Sequence, residues 1–158
     1  MTITAVFNKL FNLDEGCLFY RFNNADGKIW IMPAKNLRTA MELYQPSGWK
    51  GKWMKRGFPL LHKIRKVRSL LHTEKIRCRF DGKLKKLLEK VTDTEELDFS
   101  IFCGTPCVHQ KITIQLNKGH RILGYCKATD SCEIAALFEN EAQLLNVLHK
   151  KGIRSVPE

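Results

Sequence analysis

The chain has 158 residues, of which 44% are hydrophobic and 27% charged, and its formal net charge is +11. This composition excludes a disordered chain and fits one domain, or one domain with an extension. No apolar run approaches the roughly 20 residues that span a bilayer, so we predict no membrane span. Residues 1–16 have no basic region ahead of their apolar residues, so we do not expect a signal peptide.

The positive charge is concentrated in one segment. Between Lys50 and Lys90 there are 15 Lys or Arg residues against 3 Asp or Glu residues, a balance of +12. The rest of the chain has a balance of −1. A segment of this kind is expected to face phosphate, acidic glycan or anionic lipid, or to be a solvated surface.

The cysteines indicate a reducing environment. The six cysteines form no Cys-x-x-Cys pair, and without a secretory signal they are expected to be reduced thiols in a cytoplasmic protein. Cys103, Cys107 and His109 have no second half at zinc-site spacing, so no metal site is predicted. Cys107 and His109 also suggest a hydrolase with a cysteine nucleophile, although nothing in the sequence orients the pair.

The first structural signal is a β-hairpin. Residues 1–15 are predicted to be a short helix or an irregular lead-in. The aromatic-rich runs Cys17–Phe22 and Lys28–Met32 then flank Asp26 and Gly27. Because glycine accepts the positive φ of a tight turn, these two runs are predicted to pair as antiparallel strands.

The middle of the chain is predicted to be mainly helical. The spacing of apolar residues predicts a helix at about Asn36–Tyr44. Gln45–Gly57 contains three glycines and two tryptophans and is predicted to be a loop. The tryptophans either pack this loop against the core or stack on nucleic acid bases. A basic amphipathic helix is predicted over Phe58–His72, because its proline suits a first helical turn. Lys75–Phe80 alternates like a half-buried strand.

An acidic stretch predicts a boundary between two halves of the chain. A helix over Lys83–Val91, capped by Asp81, comes before it. The stretch itself, Thr92–Asp98, contains four carboxylates and one apolar residue. We therefore predict a basic N-terminal region over 1–97 and a second region over 98–158, or alternatively one compact unit.

The second region is predicted to be α+β. Apolar and polar residues alternate over Phe99–Phe102, Lys111–Leu116 and Ile122–Thr129, which predicts an antiparallel meander of three or more strands. A helix begins near Ser131 and is expected to pack on this sheet. Its predicted packing face consists of Ile134, Leu137, Phe138, Leu144, Leu145 and Leu148.

Lys127 and Glu141 are the residues with the clearest chemical implication. Lys127 lies near the end of the third predicted strand, and Glu141 lies fourteen positions later in the helix. If they meet, the pairing would hold the ammonium group ready for a phosphate oxygen. The same two residue types also pair in many α+β domains as a surface ion pair of little energy.

The order of these parts resembles a known family. The residues Tyr125–Lys127 on the third strand, Asn140–Ala142 in the helix and Val156-Pro157 beyond it carry the resemblance. They are similar to the N-terminal lobe of protein-kinase-like phosphotransferases, especially the aminoglycoside and choline kinase branch. The resemblance covers about a third of the chain.

The resemblance implies a nucleotide-phosphate site. It implies that Lys127 contacts nucleotide phosphates and that Glu141 anchors this lysine. It also implies that Phe102–His109 forms the loop over the phosphates, with Gly104 and Thr105 as nucleotide-binding residues.

The sequence departs from the family pattern in two respects. The loop has one glycine where kinases have G-x-G-x-x-G, and no H-x-D or D-F-G element supplies a base or magnesium ligands. The resemblance therefore implies an incomplete lobe that would bind ATP and Mg²⁺ only together with a C-terminal kinase lobe. Exposed strands of an incomplete lobe would self-associate, or the first two strands would pair onto the sheet.

The alternative is a non-enzymatic binding module for nucleic acid or acidic glycan. Such binding would depend steeply on salt, although no helix-turn-helix, RNA-recognition or zinc-finger signature is present. In a longer bacterial-type small-molecule or glycan kinase, the basic segment would instead help to hold an anionic acceptor. The candidate anion-binding residues are Lys50, Lys52, Arg56, Lys63, Arg65, Lys66 and Arg68.

Overall fold

The computed structural model describes Phe7 and residues 10–107 and 110–153. These residues form six strands: β1 (Phe11–Asn23), β2 (Ile29–Pro33), β3 (Glu74–Phe80), β4 (Asp98–Cys103), β5 (Ile112–Lys118) and β6 (Arg121–Ala128). The strands make one antiparallel sheet in the order β3-β1-β2-β4-β5-β6. The predicted α+β class and the antiparallel meander of the last three strands are confirmed.

Five α-helices accompany the sheet in the part of the chain that the structure describes. They are α1 (Leu37–Ala40), α2 (Trp49–Leu61), α3 (Arg65–Leu70), α4 (Gly82–Val91) and α5 (Cys132–Lys150). A 3-10 turn over Met41–Leu43 extends α1, so the helix predicted there is present but short. No helix among the described residues has both the length and the apolar character needed to cross a membrane.

The sheet has a hydrophobic core on each face. Alternate residues of β2 belong to different cores, because successive side chains of a strand point to opposite faces of the sheet. Ile29 and Ile31 join a core that contains Phe7 and Leu88 of α4. Trp30 and Met32 join the other core, which α1 and α2 cover. Helices therefore cover both faces of β2.

The predicted hairpin is confirmed. β1 and β2 pair antiparallel from Phe19 to Asn23, and Gly27 has a φ of +77° in the connection. β1 begins at Phe11, within the stretch predicted to be a lead-in, while residues 1–6, 8 and 9 lie outside the described part. A bulge between Leu13 and Cys17 lets this longer strand continue along β3.

The predicted loop over Gln45–Gly57 is wrong. Most of it is helical, since α2 begins at Trp49 and includes Pro59 in its last turn. A proline there removes one intrahelical hydrogen bond without dividing the helix. Two glycines and a proline lower the helix propensity of this segment. Packing of Phe58, which is 1% exposed and contacts Tyr20 edge-to-face, outweighs that cost.

The single helix predicted over Phe58–His72 is also wrong, because the chain turns between α2 and α3. His62 and Lys63 form that turn, and Ile64 has extended backbone angles. Arg68 stabilises the turn, since its guanidinium donates hydrogen bonds to the carbonyl oxygens of His62 and Lys63 at 2.6 and 2.8 Å.

The elements around the predicted boundary agree with the sequence. β3 buries Cys78 and Phe80 as expected, and one carboxylate oxygen of Asp81 accepts hydrogen bonds from the N–H groups of Lys83 and Leu84 at the start of α4. The predicted division at residue 97 falls between β3 and β4 in sequence. In the sheet, however, β2 pairs with β4, so both regions contribute three strands to one sheet.

The packing face predicted for the last helix is partly wrong. Leu137 and Leu144 are each 59% exposed, and α5 has no buried residue. The half-buried residues of α5 are Ile134, Ala135, Phe138, Leu145 and Leu148. The helix therefore contacts the protein along a narrower stripe than its apolar content suggests, and Glu141 lies within that stripe at helical spacing.

Candidate functional site

The strand β6 presents Lys127 on the face of the sheet that also carries Trp30 and Phe102. These three residues occupy one cross-strand row, because Trp30 pairs with Phe102, Phe102 with Thr113 and Thr113 with Lys127. The neighbouring residue Cys126 points to the opposite core. The pleat of β6 thus directs Lys127 away from the main core and toward α5.

The lysine and the glutamate singled out in the sequence are in contact. Lys127 Nζ lies 2.6 Å from Glu141 Oε1 and 2.7 Å from Glu141 Oε2, so one ammonium group bridges both carboxylate oxygens. The side chain of Lys127 is 44% exposed and that of Glu141 is 49% exposed. Lys127 Nζ also lies 5.6 Å from the centre of the Phe138 ring.

Hydrogen bonds fix the start of α5 at Ser131. Ser131 Oγ accepts a hydrogen bond from the N–H of Ile134, which caps the helix. The N–H of Ser131 donates to Thr129 Oγ1, and Thr129 Oγ1 donates to the carbonyl oxygen of Gln110. These bonds connect the helix start to the β4–β5 connection, and helix periodicity then places Glu141 beside Lys127.

The loop after β4 lies at the same end of the sheet as Lys127. Gln110 is buried, and its amide donates a 2.6 Å hydrogen bond to the carbonyl oxygen of Gly104. The N–H of Gly104 donates to the carbonyl oxygen of Lys111 at 3.3 Å. Thr105 is exposed beyond these bonds. The loop follows β4, which is two strands away from β6. Since neighbouring strands lie roughly 4.8 Å apart, the loop begins about 10 Å from the backbone of Lys127.

The loop is shorter than the range predicted for it. Phe102 and Cys103 belong to β4, so the described part of the loop begins at Gly104. His109 and the Val156-Pro157 pair lie outside the described residues. Burial raises the pKa of the Cys103 thiol to about 12, which keeps it protonated and unreactive near neutral pH.

The candidate anion-binding residues are divided among four positions. Lys52 and Arg56 line a cavity of about 630 Å³ between α1 and α2, while Lys63, Arg65 and Lys66 are exposed outside it. Lys50 lies beside the ring of Trp49, and Arg68 is engaged with the α2–α3 turn. The cavity residues are Arg38, Glu42, Gln45, Pro46, Lys52, Lys55, Arg56 and Pro59.

Two basic residues of the cavity, Arg38 and Lys55, were missed in the sequence. Arg38 lies outside the basic segment, and its position next to α2 depends on tertiary packing that no local pattern reveals. Lys55 could have been predicted from its spacing, because it follows Lys52 by three residues and therefore lies on the same face of a helix. Lys55 Nζ pairs with Glu42 Oε2 at 2.8 Å, whereas Arg38, Lys52 and Arg56 have no carboxylate partner among the described residues.

No group of three or more His, Cys, Asp or Glu side chains suited to a metal ion occurs in the described part of the chain. Comparisons with protein-family models, with curated proteins and with solved structures found no match. The kinase-like interpretation of Lys127 and Glu141 therefore rests on the sequence pattern and the geometry of this chain.

Proposed function

We propose that this chain is the N-terminal, nucleotide-phosphate-binding part of a kinase-like phosphotransferase and is not catalytically complete on its own. The observation that carries the proposal is the contact of Lys127 Nζ with both carboxylate oxygens of Glu141, at 2.6 and 2.7 Å. In kinases a strand lysine must be held by a helix glutamate to meet the phosphates. The contact joins a strand and a helix in the same order along the chain.

The surroundings of the pair support the same function. The exposed loop at Gly104 and Thr105 begins at the same end of the sheet, two strands away. Lys127 is half-exposed, so a phosphate oxygen can reach its ammonium group without displacing core residues. In this proposal Glu141 positions the lysine, and Lys127 binds the nucleotide phosphates in this chain alone. A C-terminal kinase lobe would add the magnesium ligands and the catalytic base.

Calorimetric titration with ATP and magnesium tests this proposal. We expect Lys127→Ala to weaken binding about tenfold or more, because a charge-assisted hydrogen bond is worth roughly 1.5–3 kcal/mol. Lys118→Ala is the matched control, since Lys118 is an exposed lysine of the same sheet at the opposite end of β5. Equal binding by wild type and Lys127→Ala, or no binding by the wild type, would contradict the proposal.

The second candidate function is a non-enzymatic binding module for nucleic acid or acidic glycan. The observation that favours it is the cavity beside α2, where Arg38, Lys52 and Arg56 have no carboxylate partner in the described part of the chain. Titration with single-stranded RNA and with heparin at two salt concentrations tests it. Affinity that falls steeply with salt and is lost in Lys52→Ala/Arg56→Ala would support this candidate.

A further inference from the structure

The helix α2 has apolar residues on both of its faces. Gly51, Met54 and Phe58 face the protein, and Phe58 is 1% exposed. The opposite face carries Trp49, Trp53 and Leu60, which are 69%, 73% and 69% exposed. At 100° per residue these three side chains fall within about 40° of one another around the helix axis. They form one outward-facing stripe.

Further exposed apolar residues follow in the sequence. Leu61 at the end of α2, Ile64 after the turn and Leu70 at the end of α3 are 45%, 49% and 77% exposed. Single exposed apolar residues are ordinary, but a concentration of six large ones in residues 49–70 marks a surface that binds something. We call this set the outer stripe: Trp49, Trp53, Leu60, Leu61, Ile64 and Leu70.

The charge of this segment has one sign. Residues 49–70 contain eight Lys or Arg residues and no Asp or Glu. Lys55 is paired with Glu42 and Arg68 is engaged with the turn. The other six are exposed and have no carboxylate partner among the described residues: Lys50, Lys52, Arg56, Lys63, Arg65 and Lys66.

The basic residues border the outer stripe on both sides. By helical position Lys50 lies on one side of the tryptophans, and Lys52 and Arg56 lie on the other. The side with Lys52 and Arg56 opens into the cavity that Arg38 also lines. Positive charge therefore surrounds an apolar centre, which is the arrangement of helices that lie in the interface of an anionic bilayer.

We propose that the outer stripe docks this protein on an anionic lipid bilayer, with the tryptophans and Leu60 in the interface. The six unpaired basic residues contact lipid phosphates. Tryptophan prefers the headgroup level of a bilayer, because its ring is apolar and its N–H is polar. The proposal uses residues of α2 and α3, not Lys127 or Glu141, and does not rest on the proposed nucleotide site.

The aliphatic residues favour lipid over nucleic acid. Tryptophan and arginine serve both ligands, since a base can stack on an aromatic ring. Leu60, Ile64 and Leu70 have no π-face and gain nothing from a base, whereas a bilayer removes them from water. Leu60 is thus the residue that distinguishes the two ligands, because it lies in line with both tryptophans and is 69% exposed.

Vesicle binding tests the proposal with the full 158-residue chain. The probes are phosphatidylcholine vesicles with and without about 30% phosphatidylglycerol, a content that gives the bilayer a negative surface potential. We expect sedimentation with the anionic vesicles and a blue shift of tryptophan emission. The double variant Trp49→Ser/Trp53→Ser should bind at least about tenfold more weakly. It retains Trp30, which is 8% exposed and reports that the fold is intact.

A charge-matched pair of variants tests the electrostatic part. Lys52→Ala/Arg56→Ala should weaken vesicle binding about 25-fold, because each basic residue at an anionic surface strengthens binding about fivefold. Lys83→Ala/Lys86→Ala removes the same charge from exposed residues of α4, on the other face of the sheet. This control should change binding less than about threefold, since charges beyond a Debye length of about 8 Å are screened.

Three results would overturn the proposal. One is equal binding to neutral and anionic vesicles, and another is unchanged vesicle binding by the double tryptophan variant. The third is single-stranded RNA binding that is tighter than vesicle binding and unchanged in Leu60→Ser, which would assign the surface to nucleic acid. Lys127→Ala should bind vesicles like the wild type, so failure of the nucleotide proposal and failure of this one are distinguishable.

Discussion

The contact between α2 and the segment before it depends on one glycine. A Cβ added at Gly51 would lie 2.3 Å from Pro46 Cβ and 3.0 Å from the hydroxyl oxygen of Tyr44. Pro46 cannot move its Cβ by rotating a side chain, so the chain before α2 would have to shift. Gly57, on the same helix, has no atom within 4 Å of the corresponding position. The two Gly→Ala substitutions therefore isolate the effect of this contact.

The two substitutions are expected to change the free energy of unfolding in opposite directions. A distance of 2.3 Å is about 1.2 Å shorter than the roughly 3.5 Å of an ordinary carbon–carbon contact. Overpacking of this kind costs about 1–3 kcal/mol, and the better helix propensity of alanine offsets about 0.5–1 kcal/mol of it. We expect Gly51→Ala to lower the free energy of unfolding by up to about 2.5 kcal/mol. Gly57→Ala should raise it by about 0.5–1 kcal/mol.

Thermal unfolding followed by circular dichroism measures this difference. For a domain of this size about 1 kcal/mol shifts Tm by roughly 2–4 °C, so the two variants should lie on opposite sides of the wild type. The result also bears on the cavity, because Pro46 and the first turns of α2 form its wall. A Gly51→Ala protein as stable as Gly57→Ala would refute the close approach of Pro46 to α2.

Three further measurements test other parts of the structure. A double-mutant cycle with Lys127→Ala and Glu141→Ala should give a coupling free energy of about 0.2–1 kcal/mol at low salt, because the pair is half-exposed; no coupling would show that the side chains do not meet. Gln115→Leu should destabilise by about 1–3 kcal/mol in urea unfolding. The buried Gln115 amide donates to a carbonyl of α1 and to a side chain of β5, while loss of its buried, unpartnered carbonyl oxygen offsets part of the cost; an unchanged midpoint would contradict this. Burial raises the pKa of Cys78 and of Cys103 to about 12, so both thiols should resist iodoacetamide at pH 8 in the folded protein. For the same reason the free energy of unfolding should fall as pH rises from 9 toward 12. Rapid labelling of these two thiols at pH 8 would contradict their burial. The exposed thiols Cys17, Cys107 and Cys132 should be labelled at pH 8.

The parts of the fold that were predictable from sequence are those that local chemistry determines. The hairpin depended on a glycine with positive φ, and the start of α4 depended on the Asp81 cap. The contact of Lys127 with Glu141 was predictable for a similar reason. Strand alternation determines the face on which the lysine lies, and helix periodicity determines the face that carries the glutamate.

The parts that were not predictable depend on tertiary packing. Local propensity favoured a loop where α2 forms, because Gly51, Gly57 and Pro59 are all poor helix formers. The helix forms because Phe58 fills the core beside Tyr20 and because Gly51 admits Pro46. Arg38 reaches the cavity only after that packing, so no spacing within the basic segment could include it.

The charge beside each exposed apolar surface distinguishes what that surface can bind. The outer stripe of α2 and α3 is surrounded by lysine and arginine, whereas the first half of α5 exposes Leu137 near Glu133 and Glu139. An anionic bilayer would repel this acidic half of α5, so it requires a different partner from the outer stripe. Since α5 carries Glu141, a C-terminal kinase lobe that completes the nucleotide site would meet the protein on this side. In these proposals α2 packs on β1 and Lys127 lies on the edge strand β6 of the same sheet face, so the bilayer and the phosphate would contact that face at different strands.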